Sequence, residues 1–217
     1  PKNVKTVVID EVQKVPALLD EVHRLIEAKK IDFILTGSSA RKLKKGAANL
    51  LAGRALQTFF FHLTLWELGK AFDLQKAIKF GLLPAAYDHS DPKHFLSSYV
   101  NTYLKEEIYA EGLLRNLDSF SRFLEVISFS QAQVLSFASL ARDAAIDPKM
   151  AASYVEILED LLLGKRLEVF TKRAKRRMTT HSKFFFFDTG VWNTLRPKGP
   201  LDSESDSEGI ALETLFF

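Results

Sequence analysis

Two adjacent carboxylates, Asp10 and Glu11, directly follow the β-branched stretch from Val7 to Ile9. This pattern predicts a buried β-strand over residues 5–9. In an α/β sheet, ligand-binding groups lie at the carboxyl ends of the strands, which is where this pair falls. One carboxylate there can hold Mg²⁺ and the other can orient an attacking water, so we assign Asp10 to the metal and Glu11 to the water. A simpler interpretation is that both carboxylates stabilise the amino end of a following helix.

A second short strand is predicted over 32–35, after a helix that runs from about Pro16 to Lys29. Two strands joined by one helix of this length predict a parallel sheet. Thr36 and Ser38 follow the second strand, which would place a hydroxyl group beside the phosphates of a bound nucleotide. The alternative is an ordinary strand-to-helix turn with a serine cap.

The rest of the chain changes from mixed to mainly helical character. We expect a helix over 39–52 and a third strand over 55–61. The predicted helices that follow are 64–72, 73–80, 92–111, 116–129, 137–145 and 149–162. A hairpin between 167–170 and 183–187 precedes a helix from about Thr189. The acidic stretch 202–208 is predicted to be a flexible loop.

Composition excludes several classes of protein. The 217 residues are 47% hydrophobic and 26% charged, which fits a globular protein with a substantial core. The absence of cysteine excludes disulfides and thiolate metal sites, and the five histidines lack zinc-site spacing. A G-x-S-x-G elbow is absent, and no apolar run approaches the roughly 18 residues of a membrane span. We therefore expect a cytoplasmic protein without a membrane partner, and we interpret Pro1 and Phe217 as cut ends.

Seven sequence blocks, in this order, carry a resemblance to a known family. They are VVIDEVQKVP at 7–16, FILTGSS at 33–39, LAGR at 51–54, LTLWEL at 63–68, GLLP at 81–84, YVNTYLK at 99–105 and FFDTG at 186–190. Together they resemble the prokaryotic AAA+-like P-loop ATPases that carry a C-terminal winged-helix and nuclease-like region. The resemblance spans almost the whole chain.

The resemblance implies an α/β part followed by a mainly α part. Residues 1–63 would form a partial parallel-sheet P-loop ATPase core. Residues 64–130 would form a helical lid or connector, and 131–198 a winged helix with its β-hairpin. Residues 199–217 would form a linker and the start of a truncated nuclease-like domain.

The resemblance also implies roles for individual residues, with ATP and Mg²⁺ as the cofactors. Asp10 and Glu11 match the Walker B pair, and Thr36 is the first choice for the sensor residue, with Ser38 second. Arg54 is either a charge sensor, acting as an arginine finger, or a surface residue after a helix end. The phosphate-binding loop G-x-x-x-x-G-K-[S/T] does not occur in the sequence. We therefore expect an ATPase fragment that is inactive on its own.

A basic cluster lies in the turn of the predicted hairpin, the wing. It consists of Lys172, Arg173, Lys175, Arg176 and Arg177. Such a cluster can contact phosphates without reading bases, or it can be a solvated turn. The helix predicted over 149–162 is net negative and is a poor reader of DNA bases.

An alternative function therefore stays open, in which the chain is a nucleic-acid or protein-interaction module with a degenerate ATPase core. The expected ligand is a nucleotide, while DNA contact through the wing and homo-oligomerisation are left open.

Overall fold

The computed structural model describes residues 4–37, 55–56, 58–104, 108–109, 116–168, 182–200 and 204–217. The chain divides into two compact units, Pro1–Phe60 and Phe61–Phe217. None of the described helices has both the length and the hydrophobicity of a membrane-spanning segment.

In its described residues, the first unit contains two strands and the helix between them. Strand β1 covers Thr6–Ile9, helix α1 covers Leu18–Lys29 and strand β2 covers Asp32–Leu35. The two strands pair in parallel, with Thr6 opposite Asp32 and Ile9 opposite Leu35. These elements confirm the predicted strand–helix–strand arrangement, and they bring the carboxyl ends of β1 and β2 side by side.

Only one face of this small sheet is covered in the described part of the unit. Val12, Leu19 and Val22 are buried, and the half-buried side chains of Ile9, Ile26, Phe33 and Leu35 pack against them. On the other face, Val8 is 63% exposed and Ile34 is 53% exposed. The prediction of a buried strand over 5–9 is therefore wrong for this face, because α1 packs against one side only.

The prediction of a third strand over 55–61 is also wrong for the residues that the structure describes. Residues 55–56 and 58–61 have no regular secondary structure, and Leu56 and Phe60 are almost fully exposed. Among described residues, β1 and β2 pair only with each other, so the apolar sequence lacks a strand to pair with. The predicted helix over 39–52 lies outside the described residues.

The second unit begins with short helices. They are α2 (Leu65–Leu68), α3 (Leu74–Phe80), α4 (Pro84–Tyr87), α5 (Pro92–Ser98) and α6 (Leu117–Ser128). The helix predicted over 64–72 stops early as an α-helix, because Gly69 has a positive φ of 50° and starts a short 3₁₀ turn. The helix predicted over 92–111 ends as an α-helix at Ser98 and continues as π-helix over Tyr99–Leu104.

A small antiparallel sheet and two helices follow in an interleaved order. The elements are β3 (Gln133–Val134), α7 (Phe137–Asp143), α8 (Pro148–Asp160), β4 (Gly164–Leu167) and β5 (Lys183–Phe186). Strand β5 lies in the middle and pairs antiparallel with both β3 and β4. The second strand of the predicted hairpin is confirmed as β5, but its partner β4 ends at Leu167, where the first strand was predicted to begin, and residues 169–170 lie outside the described residues. A side chain at Gly164 would overlap the ring of Phe184, so glycine lets β4 approach β5.

Two helices complete the second unit, α9 (Thr189–Leu195) and α10 (Glu204–Phe216). The prediction of a loop over 202–208 is wrong from Glu204 onward, where the chain is helical. Ala211 of α10 is buried in the main core, and Lys183 on β5 pairs with Glu213 at 2.8 Å. These tertiary contacts stabilise a helix whose acidic first turns carry little helix signal.

The core of the second unit combines side chains from its helices and its sheet. Its largest fully buried members are Phe120, Phe123, Phe184, Phe186 and Trp192. Residues predicted to form a connector, a winged helix and a further domain therefore share one core.

Candidate functional site

The structure brings Asp10 and Thr36 together at the carboxyl ends of β1 and β2. The Thr36 hydroxyl donates a hydrogen bond to Oδ1 of Asp10. Main-chain hydrogen bonds hold the two strand ends together. The Thr36 N–H donates to the Ile9 carbonyl at 3.0 Å, and the Val12 N–H donates to the Thr36 carbonyl at 3.0 Å. Both side chains are exposed, so the pair is accessible to a ligand.

Glu11 has a backbone conformation that is uncommon for a residue with a side chain. Its φ is 53° and its ψ is 45°, which is the left-handed region. Its N–H lies 3.3 Å from the Thr36 hydroxyl, and its carbonyl accepts a hydrogen bond from Lys14 at 2.9 Å. Its carboxylate accepts a hydrogen bond from the side-chain amide of Gln13. Uncommon conformations of this kind cluster at functional sites, where the surrounding structure holds them.

The donor set at the strand ends fits Mg²⁺ better than a tightly caged metal. No group of three or more His, Asp or Glu side chains is placed to hold a metal ion within the described ranges. Mg²⁺ keeps several waters and needs only one or two carboxylates beside the phosphates of its nucleotide. The exposed Asp10 carboxylate can supply such a ligand.

Several predicted site residues lie outside the described residues. They are Ser38, Arg54 and the five basic residues of the wing, Lys172, Arg173, Lys175, Arg176 and Arg177. Their assigned roles stay predictions. Of the predicted catalytic and metal-binding set, the structure brings together Asp10, Glu11 and Thr36.

Comparison with protein families divides the chain at a similar place to the structure. Residues 1–69 match the family described as AAA domain, and this region is AAA-like. Residues 71–202 match the family described as Domain of unknown function (DUF8612), which is more than half of the chain. The chain belongs to this DUF8612 family. The AAA match over residues 1–69 confirms the AAA-like ATPase part of the predicted resemblance. AAA domains in general work with a nucleotide and Mg²⁺.

Proteins from bacteria and an archaeon are similar to the chain. An uncharacterized protein of Mycobacterium tuberculosis is 24% identical over 193 residues, covering 87% of this chain and 44% of its own length. One of Methanocaldococcus jannaschii is 26% identical over 242 residues, covering 100% and 53%. The chain spans about half the length of these curated relatives. No solved structure matches it significantly.

A second polar constellation lies in the DUF8612 region, around Asp188. Oδ2 of Asp188 accepts the N–H of Leu82 at 2.7 Å, and Oδ1 accepts the N–H of Val191 at 2.9 Å, which caps α9. Only 2% of Asp188 is exposed. Burial raises the pKa of the Asp188 carboxyl above its usual value, against the backbone N–H groups of Leu82 and Val191, which lower it.

Neighbouring side chains extend this constellation into a joint between α3 and α9. Thr189 donates to the Ala77 carbonyl at 2.6 Å, and Asn193 donates to the Ile78 carbonyl at 2.9 Å. The bond from Asn193 satisfies a carbonyl group in the last turn of α3, whereas the Ala77 carbonyl also accepts the N–H of Gly81 at 3.0 Å. The sequence blocks GLLP and FFDTG stand out separately, and their contact was not predicted. The available signal was an Asp directly before an apolar helix, which is typical of an N-cap.

Helix α8 has a face that is poorly suited to DNA. Two guanidinium N–H groups of Arg166 on β4 donate to Oε2 of Glu159, at 2.6 Å and 3.0 Å. This pair neutralises one of the predicted negative charges. Glu156 is exposed, and Lys149 is the basic residue on the first turn of the helix. The described part of α8 therefore offers little positive charge to a phosphate backbone.

Proposed function

We propose that residues 1–69 supply the acidic, water-activating half of an ATP-hydrolysing site, a Walker B strand with its neighbouring sensor strand. Asp10 would bind the metal, Glu11 would orient and deprotonate the attacking water, and Thr36 would be the sensor. The observation that carries the proposal is the hydrogen bond between Thr36 and Asp10 across the ends of two parallel strands. It lies inside the region that matches the AAA domain.

The proposed chemistry follows from the positions of these groups. Mg²⁺, when bound with ATP, would neutralise charge that develops on the phosphates. The Thr36 hydroxyl donates to one oxygen of Asp10 and thereby limits the orientations that this carboxylate can take. Glu11 lies one residue further along, so its carboxylate can accept a proton from a water beside the metal.

Removal of the Thr36 hydroxyl tests this arrangement. In the full-length gene product, Thr36→Val should lower kcat for ATP by about 10- to 100-fold, since a hydrogen bond to a charged group contributes about 1.5–3 kcal/mol. Valine keeps the β-branched shape and the main-chain bonds to Ile9 and Val12. Thr36→Ser keeps the hydroxyl and should stay within about threefold of the wild type. Steady-state kinetics and nucleotide binding would be measured for all three proteins.

Equal turnover in the Val and Ser variants would contradict the role of Thr36. Circular dichroism of both variants would check that β2 is retained. A fall in turnover with unchanged nucleotide affinity is the pattern that a transition-state contact predicts.

We also propose that residues 131–198, together with α6 in front of them, form a winged helix. The support is the element order, in which α6 is followed by β3, two helices and a hairpin, with β5 between β3 and β4. The acidic face of α8 argues against reading of DNA bases by this helix. Any contact with nucleic acid would then depend on the basic wing, and a protein-binding role is the alternative.

Replacement of the wing charges separates these two roles. Changing all five basic residues of the wing to Ala should abolish salt-sensitive DNA binding at about 50 mM salt. It should also reduce the slope of log K against log salt by about 0.9 for each phosphate that the wing ceases to neutralise. A variant that exchanges Lys and Arg at the same positions should bind as the wild type does, because phosphate contacts depend on charge. Unchanged binding in the Ala variant would eliminate the wing as a DNA contact.

A further inference from the structure

Gln13 contacts the carboxylate to which the proposed function assigns the attacking water. Its side-chain amide donates a hydrogen bond to Oε2 of Glu11 from two positions along the chain. We propose that Gln13 is a positioning residue for Glu11, which holds this carboxylate in the orientation that hydrolysis requires. This inference rests on the proposed function of the site.

The turn that carries Gln13 is itself firmly anchored. It is a 3₁₀ turn over Val12–Lys14, and Val12 is buried in the small core beneath β1 and β2. The N–H of Val12 donates to the Thr36 carbonyl at 3.0 Å, and the N–H of Val15 donates to the Val12 carbonyl at 3.1 Å. The amide of Gln13 therefore projects from a backbone that is fixed to the ends of both strands.

The left-handed backbone of Glu11 and the Gln13 amide act on the same side chain. The backbone sets the direction in which the Glu11 side chain leaves the strand, and the amide fixes where its carboxylate ends. A freely rotating glutamate would occupy several rotamers, of which few place the carboxylate beside a water. Holding Glu11 in one of these rotamers places its carboxylate correctly before the nucleotide binds.

A neutral amide suits this position better than a cation would. The amide can donate a hydrogen bond, but it does not compete strongly with a proton for the carboxylate. An ammonium or guanidinium group would favour the charged carboxylate and so make it a weaker proton acceptor.

A double-mutant cycle in the full-length gene product tests the proposal. Gln13→Ala should lower kcat for ATP by about 10-fold with KM changed by less than about twofold, because the group acts on the transition state through Glu11. In a Glu11→Gln background, Gln13→Ala should have no further effect on kcat. Gln13→Glu should be worse than Gln13→Ala, because a carboxylate cannot donate the hydrogen bond and would push the Glu11 carboxylate out of its orientation.

Lys14→Ala is the matched control, because Lys14 lies on the same turn with an exposed side chain. It should leave kcat within about twofold of the wild type, whereas a merely structural role of the turn would make it resemble Gln13→Ala. Equal kcat in the wild type and Gln13→Ala, or additive losses in the double mutant, would overturn the proposal. If Glu11→Gln itself leaves turnover unchanged, the proposed function fails, which is distinguishable from failure of Gln13 alone.

Discussion

Replacing Glu11 with Gln in the full-length gene product is expected to lower kcat for ATP by about 10²–10⁴-fold, the usual contribution of a general base. The amide keeps the size of the side chain and its place after β1, but it cannot accept a proton from water. Glu and Gln both carry a Cβ, so the left-handed backbone at position 11 costs each of them about the same conformational energy. ATP should therefore still bind and should remain bound without turnover.

Asp20→Asn is the control for loss of one negative charge in the same unit. Asp20 is exposed on the first turn of α1 and has no role assigned in the proposed site. The turnover of the Asp20→Asn variant should match that of the wild type. A filter-binding assay with labelled ATP, run beside steady-state kinetics, would detect retained nucleotide. Wild-type turnover in Glu11→Gln would exclude the role that we assign to Glu11.

Replacing Gly81 with Ala is expected to destabilise the second unit by about 4 kcal/mol. Gly81 has φ 74° and ψ −167°, a region that is essentially restricted to glycine and costs other residues about 1–3 kcal/mol. An added Cβ would also lie only 2.1 Å from Oδ1 of Asp188. Overpacking of this kind costs about 1–3 kcal/mol more, because the buried carboxylate would have to leave its N–H partners. Denaturant unfolding of the 217-residue chain, followed by the fluorescence of buried Trp192, would measure the change in the free energy of unfolding.

Two other glycines separate the causes of this destabilisation. Gly69 also has a positive φ, but no atom lies within 4 Å of the position that its Cβ would take. Gly69→Ala therefore isolates the conformational cost, and the excess in Gly81→Ala reports the clash with Asp188. Gly209 lies in α10 with open space around it, so Gly209→Ala should stabilise the chain by about 0.5–1 kcal/mol. If Gly81→Ala destabilises the chain no more than Gly69→Ala does, then the contact between residue 81 and Asp188 accommodates the added methyl group and the predicted clash is absent.

Local patterns were sufficient to predict the arrangement around Asp10. The β-branched residues before Asp10, the helix ending at Lys29 and the apolar stretch before Thr36 each mark one element. Because one helix connects the two strands, they are expected to pair in parallel. Because parallel strands end at the same edge of a sheet, the proximity of Asp10 and Thr36 followed from their positions alone. The bond from Gln13 to Glu11 was not predicted, since it depends on a 3₁₀ turn that periodicity does not reveal.

The Asp188 joint could not be predicted in the same way. Leu82 lies 106 positions before Asp188, and Ala77 lies 112 positions before Thr189. No local sequence pattern indicates which distant backbone groups these side chains will contact. At residues 55–61 a strand was predicted that the described residues do not form, because strand propensity alone does not supply a partner strand. At Glu204 the acidic composition suggested a loop, while the contacts of Ala211 and Glu213 favour a helix.

The separation of partners along the chain differs sharply between the two units, and this bears on synthesis. Asp10 and Thr36 are only 26 positions apart, so the strand ends of the first unit can meet soon after both are made. The Ile78 carbonyl at the end of α3 must wait for Asn193, because nearly the whole second unit is translated in between. Contacts closed over such distances form slowly, and the amino-terminal unit generally folds first. A nascent chain would therefore display the Asp10–Thr36 pair while the DUF8612 region behind it still lacks its core.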